Sequence, residues 1–145
     1  MSGGAERLYT PELLALAVGL AAYPLTDEFT VIGEARSRSC GSTLQMGLIV
    51  DDGGGVERIG MRVSACAVGQ ASAAIFAGEV PGRTVEELKS MLAALESWLA
   101  VDGPVPDWPG LDLLVPARAY PGRHGAMLLP WKAAIDALSK QEATG

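Results

Sequence analysis

The chain has 145 residues, a formal net charge of −6 and a mean hydropathy of +0.25, with 49% hydrophobic and 19% charged residues. A chain of this length and hydropathy can bury a core without metal or disulfide support, which excludes a disordered polymer and fits one domain over 1–145, its ordered core spanning about 8–140. The acidic balance disfavours nucleic acid and anionic membrane surfaces as partners, and no apolar run reaches the roughly 20 residues of a membrane span.

The N-terminal stretch MSGGAERLYTPELL lacks a basic segment followed by an apolar core, so no signal peptide is read. Two cysteines without an export signal favour a reducing, cytoplasmic setting and thiols over a disulfide. Thr10-Pro11-Glu12 opens a helix: a hydroxyl cap, proline at the first position, an acid in the first turn. Leu13, Leu14, Ala17, Leu20 and Ala21 follow at helical spacing, and the helix should end before Pro24.

Period-two patterns predict three strands, at 29–36, 43–50 and 56–63. Phe29, Val31, Gly33 and Ala35 share one face of the first. Leu44, Met46 and Leu48 point inward from the second, and Ile59, Met61 and Val63 from the third. Asp51-Asp52-Gly53-Gly54-Gly55 joins the last two as a hairpin, because aspartate tolerates turn dihedrals and glycine supplies positive φ. It lacks the lysine and hydroxyl of a phosphate-binding loop.

The pattern then turns helical. Ser64 is the expected cap of a helix over about 65–77, built almost wholly of small residues. Thr84-Val85-Glu86-Glu87 forms a capping box that starts a helix to about Ala100, with Leu88, Leu92, Leu95 and Leu99 as its buried stripe. Residues 101–123 hold five prolines and read as a loop with one short turn at 110–115. A last helix covers about 127–140, which Pro130 allows only from the first turn. Strands segregated from helices make the fold class α+β: an N-terminal helix, a three-stranded antiparallel sheet, then C-terminal helices packed on it.

Three residues carry candidate chemistry: Cys40, Cys66 and His124, the sole histidine. Gly41 frees the backbone beside Cys40, and Arg36 and Arg38 nearby favour a thiolate. Cys66 falls in the first turn of its expected helix, where unpaired N–H groups and the dipole do the same. His124 sits near the start of the last helix. All three lie at loop or helix-start positions, where sites form on a rigid scaffold. The alternatives are plain. Free cysteine often serves as a small buried hydrophobe, and these spacings match no compact zinc finger. Trp98 and Trp131 read as core. Arg118 and Arg123 read as solvated loop charges or as binders of a carboxylate or sulfur-bearing partner. A Cys–His hydrolase lacks an acid placed to orient His124.

At these residues the sequence resembles the U-type iron–sulfur cluster scaffolds, the family of IscU, SufU and the N-terminal domain of NifU. Arg38-Ser39-Cys40-Gly41-Ser42 is similar to their first cysteine loop. Ser64-Ala65-Cys66-Ala67-Val68-Gly69-Gln70-Ala71-Ser72-Ala73 is similar to their second motif, and Gly82-Arg83-Thr84-Val85-Glu86-Glu87-Leu88 to the segment after it. The stretch from Ala117 through Arg123-His124-Gly125-Ala126 to Trp131-Lys132-Ala133 is similar to the third-cysteine region and last helix. The Pro-rich insert resembles the SufU branch and the histidine the IscU branch. Two departures stand out: Ser42 occupies the position of the family's ligating aspartate, and Gly125 that of its third cysteine.

The resemblance implies an iron–sulfur cluster assembly scaffold or sulfur carrier. Cys40, Cys66 and His124 would hold zinc or iron, or a transient 2Fe–2S cluster, and Cys40 would accept sulfur. The implied partners are a cysteine desulfurase and cluster-acceptor proteins. Two further expectations stand beside it: an interaction or regulatory module of the assembly machinery that has lost its cluster site, and a small zinc-binding domain of other purpose. Whether the chain pairs with itself is left open.

Overall fold

The computed structural model describes residues 10–38, 41–101 and 103–144. Helix α1 spans Pro11–Val18 and runs into a 3-10 turn, Gly19–Ala22. Strands β1 (Ile32–Arg36), β2 (Thr43–Val50) and β3 (Val56–Ser64) follow, then helices α2 (Ala67–Glu79) and α3 (Val85–Ala100). Two 3-10 segments, Leu111–Ala119 and Pro121–Arg123, lead into the last helix, α4 (His124–Thr144). The sheet is antiparallel with order β1-β2-β3, so the α+β architecture is the one the sequence predicts. Among the described residues no helix is long and apolar enough to cross a membrane.

Pairing of Gly33 with Met46 and of Met46 with Met61 sets the register. One sheet face therefore carries Ala35, Leu44, Met46, Leu48, Ile59, Met61 and Val63, and the helices cover it. Gly33 lies on this face, where a Cβ would collide with the backbone of Ala133 and Ala137. Only glycine lets α4 come this close. Helix α4 also closes the free edge of β1, which would otherwise invite a foreign strand. Asp136 accepts from the Glu34 N–H at 2.9 Å, and Lys140 donates to the Ile32 carbonyl at 3.0 Å.

The opposite face is half covered. Gly47 and Gly60 are cross-strand partners, and the Phe29 ring rests on both. This corrects the expected strand at 29–36: β1 begins at Ile32, and Phe29 covers the face opposite to Gly33. The bare backbone of the two glycines is a trough that a buried aromatic ring fills. Beyond it the outer face is a polar ladder, in which Gln45 donates to Glu34 and Arg62 donates to Gln45, each at 3.1 Å.

Caps and turns follow their chemistry. The Leu13 N–H donates to the Thr10 hydroxyl at 3.2 Å. Both halves of the capping box at Thr84 and Glu87 are formed. In the hairpin, Asp51 Oδ1 accepts from the N–H groups of Gly53 and Gly55, each at 2.9 Å. Three readings need correction. Leu14 and Ala21 are exposed, because α1 packs chiefly against α2 and buries only a narrow stripe around Leu13. Helix α2 starts two residues late, because Ser64 still pairs with Thr43 as the end of β3. Helix α4 starts at His124, which puts Pro130 in its second turn. The Ala126 carbonyl thereby loses its usual donor. Beside it the buried Ser72 hydroxyl donates to the Met127 carbonyl at 2.6 Å, tying α4 to α2 at this point.

The Pro-rich segment is more ordered than a loop. Trp108 is buried, donates from Nε1 to the Ile75 carbonyl at 3.1 Å, and stacks on Phe76. Trp131 meets both rings edge-on, and the Arg83 guanidinium covers Trp108 at 4.6 Å. Trp98 and Trp131 are core residues, as the sequence predicts.

Candidate metal centre

Three contacts run in step along α2 and α4. Gly69 abuts Ala126, where an added Cβ would stand 3.2 Å from the alanine methyl. Ser72 bonds Met127, and Phe76 packs on Trp131. The two helices are therefore parallel, with their N-termini at one end of the molecule. Cys66 is the N-cap of α2 and His124 the first residue of α4, so both sit at that end. Cys66 is a cap rather than a first-turn residue, and its half-buried thiol makes no capping bond.

The β1–β2 turn lies at the same end, because Thr43 pairs with Ser64, two residues before Cys66. It is closed by the Ser37 N–H donating to the Ser42 carbonyl at 2.8 Å and the Gly41 N–H donating to the Ser37 carbonyl at 2.9 Å. Gly41 has φ +71°, a value that favours glycine. Cys40 itself lies outside the described residues. Among the described residues no three His, Cys, Asp or Glu side chains gather as a metal site.

The His124 ring is held from one side. Its Nε2 is 2.7 Å from the carbonyl oxygen of Arg118. A carbonyl only accepts, so Nε2 carries a proton, and in the neutral imidazole the lone pair then falls on Nδ1. Metal-bound histidines are oriented this way, the second nitrogen donating to a backbone carbonyl or carboxylate. Arg118 is no solvated charge. Its Nε donates to the Trp98 carbonyl at 2.7 Å, in the last turn of α3, and its guanidinium lies over the Trp98 ring.

The sequence has no signal for this orienter, since any residue supplies a carbonyl. Its arginine side chain was visible, but not the helix end it meets. Of the two departures, Ser42 is a buried neutral hydroxyl and Gly125 has no donor atom. Two thiols and an imidazole nitrogen, were they to converge, would suit an ion with one coordination position left open.

No protein-family model matches the sequence. Over 115 residues the chain is 30% identical to the iron–sulfur cluster assembly scaffold protein IscU of Thermotoga maritima, a match spanning 79% of this chain and 80% of that one. The structure is similar to that of a nitrogen-fixing NifU-like protein (N-terminal) from Brucella abortus, with TM-score 0.87 and 29% identity over 99% of this chain and 100% of that one. A SUF-system scaffold (FiSufU) from Fervidobacterium islandicum shares the fold, with TM-score 0.76 and 21% identity over 90% and 96% of the two chains. The architecture is thus that of the α+β cluster-scaffold class. The chain belongs to the U-type iron–sulfur cluster assembly scaffold family.

Proposed function

We propose that this chain is a scaffold or sulfur carrier in iron–sulfur cluster assembly, using Cys40, Cys66 and His124 as donors to zinc, iron or a transient 2Fe–2S cluster. One observation carries the reading: the N-termini of α2 and α4 meet at one end, bringing Cys66 and His124 there, with Nε2 of His124 held by the Arg118 carbonyl and Nδ1 outside that bond. Helix N-termini suit anionic ligands and cargo. Exposed Arg36, Arg38 and Arg62 rim the same end of an otherwise acidic chain.

Iron and sulfide are the cargo. As a thiolate, Cys40 attacks the outer sulfur of a persulfide on a cysteine desulfurase. The sulfur–sulfur bond of that persulfide breaks, a new one forms on Cys40, and the desulfurase cysteine leaves as a thiolate. A reducing cytoplasm keeps both cysteines of this chain ready for that exchange. Three protein donors are one short of the usual four for a cluster. A partner cysteine, a second protomer or a small thiol would complete the set.

A second reading draws on Ser42 and Gly125, which remove a carboxylate and a thiolate from the family pattern. In it the chain is an interaction or regulatory module that binds the desulfurase without cluster chemistry. Metal analysis of anaerobically purified protein, with Cys40, Cys66 and His124 replaced in turn, separates the two. The scaffold reading expects bound metal, its loss in each variant, and persulfide on Cys40 after incubation with desulfurase and cysteine. Absence of both metal and persulfide, with desulfurase binding intact in Cys40→Ala and Cys66→Ala, would establish the module instead.

A further inference from the structure

We infer that Arg118 is a positioning residue for His124, and that it links the C-terminal cap of α3 to the donor atom of the candidate metal centre. The inference rests on the reading of His124 as a metal donor, and two hydrogen bonds carry it. The first runs from Arg118 Nε to the Trp98 carbonyl at 2.7 Å. That carbonyl belongs to the last turn of α3, Val85–Ala100, where carbonyls have no intrahelical donor. The guanidinium also lies 5.8 Å from the centre of the Trp98 ring, and Trp98 is buried. One side chain thus fixes Arg118 to a rigid helix by a charge-assisted bond and a ring contact.

The second bond leaves Arg118 by its main chain. Its carbonyl accepts from His124 Nε2 at 2.7 Å, six positions on, across the junction of the two 3-10 segments. Those residues include Pro121 and Gly122, and both are exposed. Turn bonds from the Tyr120 N–H to the Ala117 carbonyl and from the Arg123 N–H to the Tyr120 carbonyl shape this backbone, and the side-chain anchor to α3 fixes the Arg118 residue itself. With Nε2 so engaged, the imidazole presents Nδ1 in one fixed direction. Replacing such an outer partner typically weakens metal binding by about 10–100-fold.

The test uses the full chain. His124 is the only histidine, so one set of imidazole signals reports it. In wild type, nitrogen-edited NMR should show a resolved proton on Nε2. Its exchange should be about tenfold slower than in Arg118→Ala, the size expected for loss of a neutral hydrogen bond. Arg118→Lys, which keeps a cationic donor for the Trp98 carbonyl, should restore most of that protection. Cobalt(II) titration should follow the same order, with Arg118→Ala weaker by about 10–100-fold and its melting cooperative. A proton on Nδ1 with none on Nε2 in wild type, or equal Nε2 protection in wild type and Arg118→Ala, would overturn the positioning role whatever the metal does. Cobalt(II) binding that His124→Ala leaves unchanged would instead overturn the donor reading, while the Nε2 signal still judged the hydrogen bond.

Discussion

Cys66 and His124 owe their placement to helix starts, and each is testable alone. Cys66→Ser keeps the size of the N-cap and adds a better capping oxygen, so the fold should survive. Metal occupancy at equimolar zinc should fall below about one-tenth of wild type, because a neutral hydroxyl replaces a thiolate ligand. Mass spectrometry of the native protein reads this directly. Gly125→Cys tests the opposite direction. Position 125 is the second residue of α4 and half-buried, next to His124. A thiolate there would supply a fourth donor, and zinc should bind about tenfold tighter or more, equal to roughly 1.4 kcal/mol. Unchanged affinity in chelator competition would mean that position 125 does not face the other donors.

At the scale of elements, α4 against β1 is the joint most exposed to single changes. Gly33→Ala would drive a methyl into the α4 backbone at Ala133 and Ala137. No side chain can yield there, so a loss of about 2–3 kcal/mol is expected in urea unfolding. The same joint contains the one clear pKa displacement among the described residues. The Glu34 N–H bonds the ionised Asp136 carboxylate, and Lys140 at 3.1 Å adds to it against a modest desolvation cost. Asp136 therefore titrates below its ordinary value of 3.8. The stability this brings is present above that value and disappears as pH falls through the lowered one. The side chain is 40% exposed, so solvent screens the pair. Asp136→Asn keeps an acceptor for Glu34 and should cost only about 0.5 kcal/mol at neutral pH. The cost should vanish in acid, which urea midpoints at both pH values would show.

For the whole molecule, the Pro-rich segment acts as a strap fastened by Trp108. Trp108→Ala removes a buried ring that stacks on Phe76, bonds Ile75 and lies under Arg83. A loss of about 3–5 kcal/mol is expected, with the near-ultraviolet circular dichroism of the aromatic trio collapsing. The strap also delivers Arg118 and His124 to the end where Cys66 sits, so weaker metal binding should accompany the loss. Intact metal affinity in a folded Trp108→Ala protein would separate strap from site.

Local chemistry made much of this legible from sequence. The capping box at Thr84, the Asp-Gly hairpin and the alternation over 43–50 each act within a few residues, and each stands where the pattern puts it. Cys66 and His124 were legible as residue types and as helix-start positions. Other features depended on partners far along the chain. Phe29 went to the opposite face because Gly47 and Gly60 form its seat. Ser64 stayed in the sheet because Thr43 holds it, and that moved Cys66 from the first turn to the cap. The tolerance of Pro130 in a second turn and the anchoring of Trp108 belong to the same class. So does the proton on His124, which is set by the carbonyl of a residue whose side chain reports to a different helix. Period, caps and turns are short-range and written in the order of residues. The convergence of two helix ends, and the direction in which an imidazole offers its lone pair, come from packing between elements distant in sequence.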